Sequence, residues 1–595
     1  MNKSATREPV EPELALDDIQ GIAVPGFFKP HQTLVYVRYA RTPDAVRELK
    51  AFLADLAKGE ITNGSAALAD RRAHRTPAEA RSRRRKAAAC VRLPDALPTL
   101  ALVSSTLATP AGASSPLVAI AFTYQGLLGL SARALALRGD AFKCGLAARS
   151  ALLGDPVEAG VPGHPSTWVV GAPGKELDFM LVVAGDSRPL VRERAARLIE
   201  RLKAFGRVES QEGDGLVDAT EAAEAAAAGR RLDSHEHFGF ADGISQPGIR
   251  GCVPGDPDDH VSERVLRPTS SPASALQGLP GQDLVWPGEF VIGYPKSGPD
   301  PMWPGAVDDQ QPDWARNGSF LVYRRLQQDV GLFWRAISNK AAELKKLPGF
   351  AALEPESLAA HLVGRRRSGA PLSRLPGFEN IDCPQLGSDK HANNDFLFDP
   401  PTPGPSIEYP QAGADPLGHA CPLAAHIRKV NPRDGVSDVG GTSASCARRI
   451  LRVGVPYGPP SEDPIDEPSP TDEDGRPQVD RGILFLCIQA SIEEQFEFLQ
   501  ARWMNDEHRP GGTPGGHDMI AGRNPAGRLE GRRPRLVGDK PPKENDQRSE
   551  RRRFTLLAPD GQQALVDLWH PTVTPTGGGY FFVPSLSAIT EVLAR

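Results

Sequence analysis

Residues 237–253 read His237-Phe238-Gly239-Phe240-Ala241-Asp242-Gly243-Ile244-Ser245-Gln246-Pro247-Gly248, followed three residues later by Cys252-Val253. The run places one carboxylate, that of Asp242, between the glycines Gly239 and Gly243. Because glycine has no Cβ, a carboxylate flanked in this way can lie directly against a flat ligand. Asp-Gly is also a common turn pair, so the run by itself fits an ordinary turn without any ligand.

Two further segments downstream of this run give it a context. The first extends from Gly418 to Arg433 and contains His426-Ile427-Arg428-Lys429-Val430-Asn431-Pro432-Arg433, and the second extends from Arg448 to Gly458. In this order the three segments resemble the dye-decolourising peroxidases, a family of haem enzymes. Shorter similar segments extend from the neighbourhood of Ile19 to the C-terminus, so the resemblance covers most of the chain.

The resemblance implies an α+β fold of two ferredoxin-like domains with antiparallel sheets, packed face to face, with haem held between the sheets in the second. The chain's own patterns agree, because strand-like and helical segments alternate in its first half. Strands are predicted at Gln32–Tyr39, Leu117–Phe122, Phe179–Ala184, Phe290–Tyr294, Phe320–Leu326, Gly482–Gln489 and Tyr580–Val583. We expect a flexible N-terminus over 1–17, an N-terminal domain over 18–235 and a haem-binding domain with long loop insertions over 236–595. An Ala-rich stretch, 221–229, is expected to be a short helix or linker.

The composition disfavours some classes of protein and favours one cellular compartment. The 595 residues are 40% hydrophobic and carry a net charge of −5, which disfavours a globally basic nucleic-acid binder. No apolar run approaches the length of about 18 residues that a transmembrane helix needs, so no membrane association is expected. Seven cysteines are scattered without close pairing, which favours free thiols in a reducing compartment. The charged stretch Met1–Ala15 has no apolar core and no twin arginine, so a cytoplasmic location is predicted.

His426 is the candidate axial ligand of the haem iron, because its setting resembles the proximal histidine segment of the family. His419 is an alternative, and the spacing His419-x-Cys421-x4-His426 also admits a zinc site. Zinc usually takes four ligands in paired clusters, and no second cluster is visible in the sequence. No Cys-x-x-Cys-His motif occurs, so one non-covalent haem b per chain is expected.

Two residues are candidates for supporting the proximal side. A metal-bound imidazole commonly donates its other N–H to a carboxylate or carbonyl, which raises its basicity and its electron donation to iron. Glu497, in a helix-like segment, is predicted to be that acceptor, although an exposed helix glutamate explains it equally. Asn431 resembles a family residue near the proximal face.

Asp242 and Arg452 are the candidate catalytic residues. The usual pKa of an aspartate is about 3.9, so Asp242 is ionised at neutral pH and able to accept a proton. The family's distal arginine corresponds to Arg452, and a guanidinium is suited to stabilising negative charge as the O–O bond breaks. Gly243, Phe240 and Arg452 are also expected to contact the haem. The family often has Arg and then Ser or Asn after the distal arginine, where this chain has Val453 and Gly454.

The resemblance implies a peroxidase that uses hydrogen peroxide to oxidise bulky phenolic or dye-like aromatic donors through a ferryl intermediate. Aromatic side chains could relay electrons from the surface, and the candidates are Tyr323, Trp334, Tyr457 and Trp503. One alternative is a haem-binding or iron-releasing protein with little peroxidase activity, and another is a related fold without haem. A hydrolase is disfavoured because no Gly-x-Ser-x-Gly motif occurs and Gly515-Gly516-His517-Asp518 lacks a paired nucleophile. The oligomeric state stays open, with a homodimer as one alternative.

Overall fold

The computed structural model describes most of the chain in thirteen ranges. They are 9–73, 91–92, 100–102, 115–218, 235–253, 256–264, 276–308, 310–399, 409–461, 479–511, 515–524, 551–568 and 570–595. The predicted Ala-rich helix over 221–229 lies outside them. Within them, no helix is both long and apolar enough to cross a membrane.

Nine strands form the main sheet. In chain order they are β1 (His31–Tyr39), β2 (Leu117–Phe122), β3 (Phe179–Gly185), β4 (Gly206–Asp214), β5 (Ser319–Gln328), β6 (Leu451–Arg452), β7 (Val455–Tyr457), β8 (Gly482–Gln489) and β9 (Val573–Val583). The spatial order is β6-β8-β5-β9-β2-β3-β1-β4, with β7 also paired to β8.

Each half of this order has the strand arrangement of a ferredoxin-like unit. If the four strands of the first half are numbered along the chain, they lie side by side as 4-1-3-2, and every pairing is antiparallel. The second half repeats this with β9, β5, β8 and β6. The chain therefore folds as the α+β arrangement of two ferredoxin-like units that the sequence predicted.

The two units are connected at the sheet edge and also pack face to face. Phe582 of β9 pairs with Phe122 of β2, which joins both sheets into one. Their inner faces share a hydrophobic core, in which the hydroxyl groups of Tyr36 and Tyr323 lie 2.6 Å apart. Leu451 belongs to the same core, so its neighbour Arg452 lies on the opposite, outer face of β6.

Helices cover the outer faces of the sheet. In the first unit, Thr42 caps the helix Pro43–Gly59, as its sequence predicts, and a buried stripe on Arg188–Leu202 packs against β1 and β3. The other helices of this unit are Gly64–Ala73, Tyr124–Leu130, Asp140–Cys144 and Leu146–Arg149. The second unit adds Val330–Leu344, Pro355–Val363, Pro384–Ser388, His426–Val430, Thr442–Cys446, Ile492–Met504, Leu586–Ala588 and Ile589–Leu593.

Short strand pairs and single turns complete the fold. The longest pair is the hairpin Arg552–Leu557 with Gln563–Leu568, which packs on the helix Val330–Leu344. Shorter pairs join Val91–Arg92 with Ile381–Asp382, Leu100–Leu102 with Leu216–Asp218, Gly248–Ile249 with Leu284–Val285, Cys252–Val253 with Asp256–His260, and Pro295–Ser297 with Pro304–Val307. Single 3₁₀ turns lie at Ala132–Ala136, Pro165–Thr167, Pro287–Glu289 and Asp313–Ala315.

Two expectations differ from the structure. Phe290–Tyr294 was predicted as a strand, but it follows the turn Pro287–Glu289 as a loop, and its apolar side chains are buried without forming a ladder. The N-terminal residues that the structure describes are packed rather than flexible, because Leu14 and Leu16 are buried and Glu11 pairs with Arg250 at 2.9 Å.

Candidate active site

Asp242 and Arg452 form an ion pair on the outer face of the second unit. The Arg452 guanidinium donates to Asp242 Oδ1 at 2.8 Å, and both side chains stay accessible, Asp242 at 43% and Arg452 at 27%. Burial by itself raises the pKa of Asp242, but the Arg452 charge and the Gly243 amide outweigh it and hold that pKa below its ordinary value. The carboxylate is therefore ionised over most of the pH range.

Two side chains fix the loop that carries Asp242. Gln246 bonds the backbone of Arg452 in both directions, accepting from its N–H at 3.2 Å and donating to its carbonyl at 2.9 Å. Glu236 accepts from the amides of Phe238 and Phe240, each at 3.0 Å. Burial raises the pKa of Glu236 to about 7. The loop is therefore fixed by Gln246 from within the predicted run and by Glu236 directly before it, a residue that was not identified from the sequence.

His426 lies at the start of the short helix His426–Val430, and its ring is held by Asp518. The distance from His426 Nδ1 to Asp518 Oδ2 is 2.7 Å, and Asp518 Oδ1 accepts from the amides of Ile520 and Ala521 at 2.9 and 3.0 Å. Burial alone lowers the pKa of His426, but Asp518 raises it above its ordinary value. Burial alone raises the pKa of Asp518, but His426 and the two amides lower it. Asp518 is thus an ionised acceptor and Nδ1 is the donor.

The prediction that Glu497 accepts from His426 is wrong. Glu497 is buried on the helix Ile492–Met504, where it accepts from Arg149 at 2.6 and 2.5 Å and from the hydroxyl of Tyr580 at 2.9 Å. This helix is wound with i→i+5 hydrogen bonds, which changes the face that each residue presents. The acceptor is Asp518, in the Gly515-Gly516-His517-Asp518 segment that was considered only for hydrolase chemistry.

The other residues named for the proximal side have different positions. Asn431 is buried at the end of the His426 helix, and its Oδ1 accepts from the Arg433 amide at 3.3 Å, so it shapes the turn that follows. His419 is exposed. Across the described part of the chain, no group of three His, Cys, Asp or Glu side chains is arranged to hold a metal ion.

His426 lies close enough to the Asp242–Arg452 pair for their charges to interact. Its charge lowers the pKa of Asp242, and the charges of Arg452 and Asp242 affect the pKa of His426 in turn. An imidazole with one nitrogen held by a carboxylate can bind a metal ion through its other nitrogen. A nearby carboxylate–guanidinium pair can accept and deliver a proton beside that ion.

Comparisons with known proteins identify the family. A dye-decolorizing peroxidase from Mycena epipterygia is 32% identical over 515 residues, which cover 84% of this chain and 80% of that protein. The chain belongs to the dye-decolorizing peroxidases. A dye-decolorizing peroxidase from Auricularia auricula-judae is 30% identical over 492 residues, covering 80% of this chain and 76% of that protein. An ancestral D-type dye-decolorizing peroxidase of known structure has a TM-score of 0.65 and 28% identity, covering 98% of this chain and all of that one. No family model matches the chain.

As a dye-decolorizing peroxidase the protein is an enzyme, and the residues of its site fit a haem. Because Nδ1 of His426 is committed to Asp518, Nε2 carries the free lone pair, and the side chain is 29% accessible. At Gly243 an added Cβ would meet open space, which leaves room beside Asp242 for a flat ligand. Arg365 and Arg433 lie nearby as buried cations that bond carbonyl and amide oxygens, and burial lowers their pKa values to about 9 and about 10.

Gly454 explains one departure of this dye-decolorizing peroxidase from its family. A Cβ at this position would lie 2.6 Å from the backbone oxygen of Leu484, which belongs to β8. Serine or asparagine could fit only if the strand shifted. Gly454 therefore offers no side-chain hydrogen bond at this position.

The four aromatic residues suggested as surface relays are all buried: Tyr323, Trp334, Tyr457 and Trp503. Trp503 contacts an aromatic ring nearer the surface, because its ring lies edge-on to that of the partly exposed Phe498, with 5.1 Å between the ring centroids. Phe498 itself lies between the guanidinium groups of Arg448 and Arg502.

Proposed function

We propose that this protein binds one non-covalent haem b through His426 and uses hydrogen peroxide to oxidise bulky phenolic or dye-like donors. The observation that carries the proposal is the ionised Asp242–Arg452 pair, whose charges interact with His426, an imidazole whose Nδ1 is held by Asp518. A protein that only stores haem or releases iron needs neither a proton acceptor nor a distal cation. The names of the relatives support dyes as the class of donor.

Each side chain has a defined task in this proposal. Bound haem would supply a redox-active iron centre that gives two electrons to hydrogen peroxide and regains them one at a time from two donor molecules. His426 binds the iron through Nε2, and Asp518 holds the imidazole in the tautomer that leaves Nε2 free. Asp242 accepts the proton from one oxygen of hydrogen peroxide and delivers it to the other, which leaves as water. Arg452 stabilises the negative charge on the separating oxygen atoms.

Three residues position the ligand rather than react. Gly243 leaves room for the macrocycle next to Asp242. Its φ of +81° is a backbone conformation that favours glycine, so glycine suits this turn. Phe240 is buried beneath the same loop and supports it. Asn431 fixes the turn after the His426 helix.

The test is the absorption spectrum of purified protein, alone and with added peroxide. The wild type should show a Soret band that acid-organic extraction removes, and peroxide should change that band. His426→Ala should lose most of the haem because the imidazole would hold the iron. His419→Ala is the matched control from the same segment and should keep it. Full haem retention in His426→Ala with an unchanged spectrum would overturn the proposal.

We also propose that the boundary between the two units lies near residue 235 and that the protein works in the cytoplasm. The boundary is supported by the strand orders, because each ferredoxin-like unit takes its four strands from one side of it. The location is supported by the cysteines of the described residues, six of which are free thiols. Limited proteolysis and cell fractionation test the two points.

A further inference from the structure

Lys429 lies on the same helix as His426, three residues on, and its side chain is fully buried. Its ammonium group donates to three backbone carbonyls, those of Asp506 at 2.6 Å, Gly516 at 2.9 Å and Arg509. Among the residues that the structure describes, no carboxylate forms an ion pair with it. Burial lowers the pKa of Lys429 to about 8.

The three carbonyls belong to the segment that leads to Asp518. Two of them, at Asp506 and Arg509, lie at its start, and the third, at Gly516, is two residues before Asp518. One cation therefore ties both ends of this segment to the helix that carries His426. The imidazole and its acceptor are then fixed to a common support, although 92 residues separate them in the chain.

If this position only filled space in the core, an apolar side chain would do so without the cost of burying a charge. A buried ammonium group is costly unless it is well solvated by protein groups, although its removal also leaves the carbonyls that accept from it without a donor. Three carbonyl oxygens provide that solvation here, but they do so only while Asp506, Arg509 and Gly516 keep their positions around the ammonium group. The arrangement thus makes the position of the Asp518 segment depend on Lys429.

We propose that Lys429 is a positioning residue of the proximal site, which holds Asp518 in hydrogen-bonding distance of His426 and so sets the electron donation of the imidazole. This rests on the proposed function, in which His426 binds the haem iron. A weakened bond to Asp518 would make the imidazole a poorer electron donor. The expected signature is spectroscopic, not only a loss of activity.

The experiment compares Lys429→Met with Asp518→Asn in the haem-loaded protein. The readouts are the iron–histidine stretching frequency of the reduced protein, measured by resonance Raman, and the midpoint potential of the iron. Asp518→Asn should lower the frequency and raise the potential. Lys429→Met should produce at least half of both shifts, and the double variant should shift no further than Asp518→Asn.

Lys340→Met is the matched control, because Lys340 is a mostly buried lysine that pairs with Asp567 and Glu343, on a different helix. It should leave both readouts at their wild-type values. If Lys429→Met does not fold, Lys429→Arg replaces it, since a guanidinium keeps the charge but cannot occupy the same three-carbonyl site. It should shift both readouts in the same direction.

Wild-type readouts in the Lys429 variants, while Asp518→Asn shifts them, would overturn the inference and leave the proposed function intact. Additive shifts in the double variant would also overturn it. Failure of the proposed function gives a different result, since His426→Ala would then retain its haem.

Discussion

Asp242 keeps its charge because of Arg452. In isolation, burial would push the carboxyl group toward its neutral form, and a neutral carboxyl cannot accept a proton from peroxide. The guanidinium reverses that effect at a distance of 2.8 Å. The two residues therefore act as a coupled pair, and a change in either one alters the other.

Asp242→Asn should slow the reaction with peroxide by a factor of roughly 10² to 10⁴, the usual loss for a general acid-base group. Since the pKa of Asp242 lies below its ordinary value, the wild-type carboxylate persists as the pH falls. The rates of wild type and variant should converge only below about pH 4. Stopped-flow rates across pH, with haem content checked by spectrum, test this, and parallel profiles would contradict it.

Arg452→Leu provides the companion measurement. It should retain the Soret band and react more slowly by a factor on the order of 10² to 10³. Removing the cation also raises the pKa of Asp242, so the acid limb of its profile should move to higher pH. If the acid limb does not move, the charge of Arg452 has no effect on the protonation of Asp242, which would contradict the prediction.

At the site, Asp242, His426 and Arg452 were predicted from the sequence because each lies within a run of family-like residues, and their roles stay predictions. Their supports were harder to predict, since an acceptor such as Asp518 is selected by the fold and not by the neighbouring sequence. The acceptor chosen from the sequence, Glu497, is instead a structural partner of Arg149.

Among the elements, strands with an apolar pattern could be predicted closely. The boundaries of β2 and β8 match the prediction, because both strands are central and rich in β-branched and aliphatic residues. Strand β4 was missed, since it is an edge strand with a polar sequence, in which Arg207, Glu209 and Ser210 are exposed. The buried run Phe290–Tyr294 shows the opposite error, because burial alone does not distinguish a strand from a packed loop.

The helix Ile492–Met504 supports the second unit through Glu497. Glu497→Gln should lower the free energy of unfolding by about 1 to 3 kcal/mol, because it weakens buried, charge-assisted bonds to Arg149 and Tyr580. The haem spectrum should stay unchanged. Glu494→Gln on the same helix is the control, and its exposed ion pair should contribute about 1 kcal/mol or less. Denaturant unfolding gives both values, and an altered Soret band in Glu497→Gln would contradict the assignment.

In the whole molecule, the pairing of Phe122 with Phe582 makes one sheet of two units. Phe582→Ala should destabilise the protein by about 3 to 5 kcal/mol, since it removes a large buried ring at this junction. Leu565→Ala, at an exposed hairpin position, should change the stability by about 0.5 kcal/mol or less. Circular dichroism and Soret absorbance should fall in a single transition with denaturant. Separate transitions for the two signals would indicate that the units unfold independently.

The central place of β9 has a consequence for how the protein is made. This strand lies between β5 and β2 in space, yet it is the last of the nine to leave the ribosome. Until residue 583 has emerged, β2 and β5 each present an unpaired edge, and such edges invite pairing with other chains. During synthesis there is therefore a long interval in which all strands of the first unit have been made but the edge of β2 is not yet paired with β9. Chaperone occupancy on ribosome-bound chains should be greatest in that interval and end when the final strand docks.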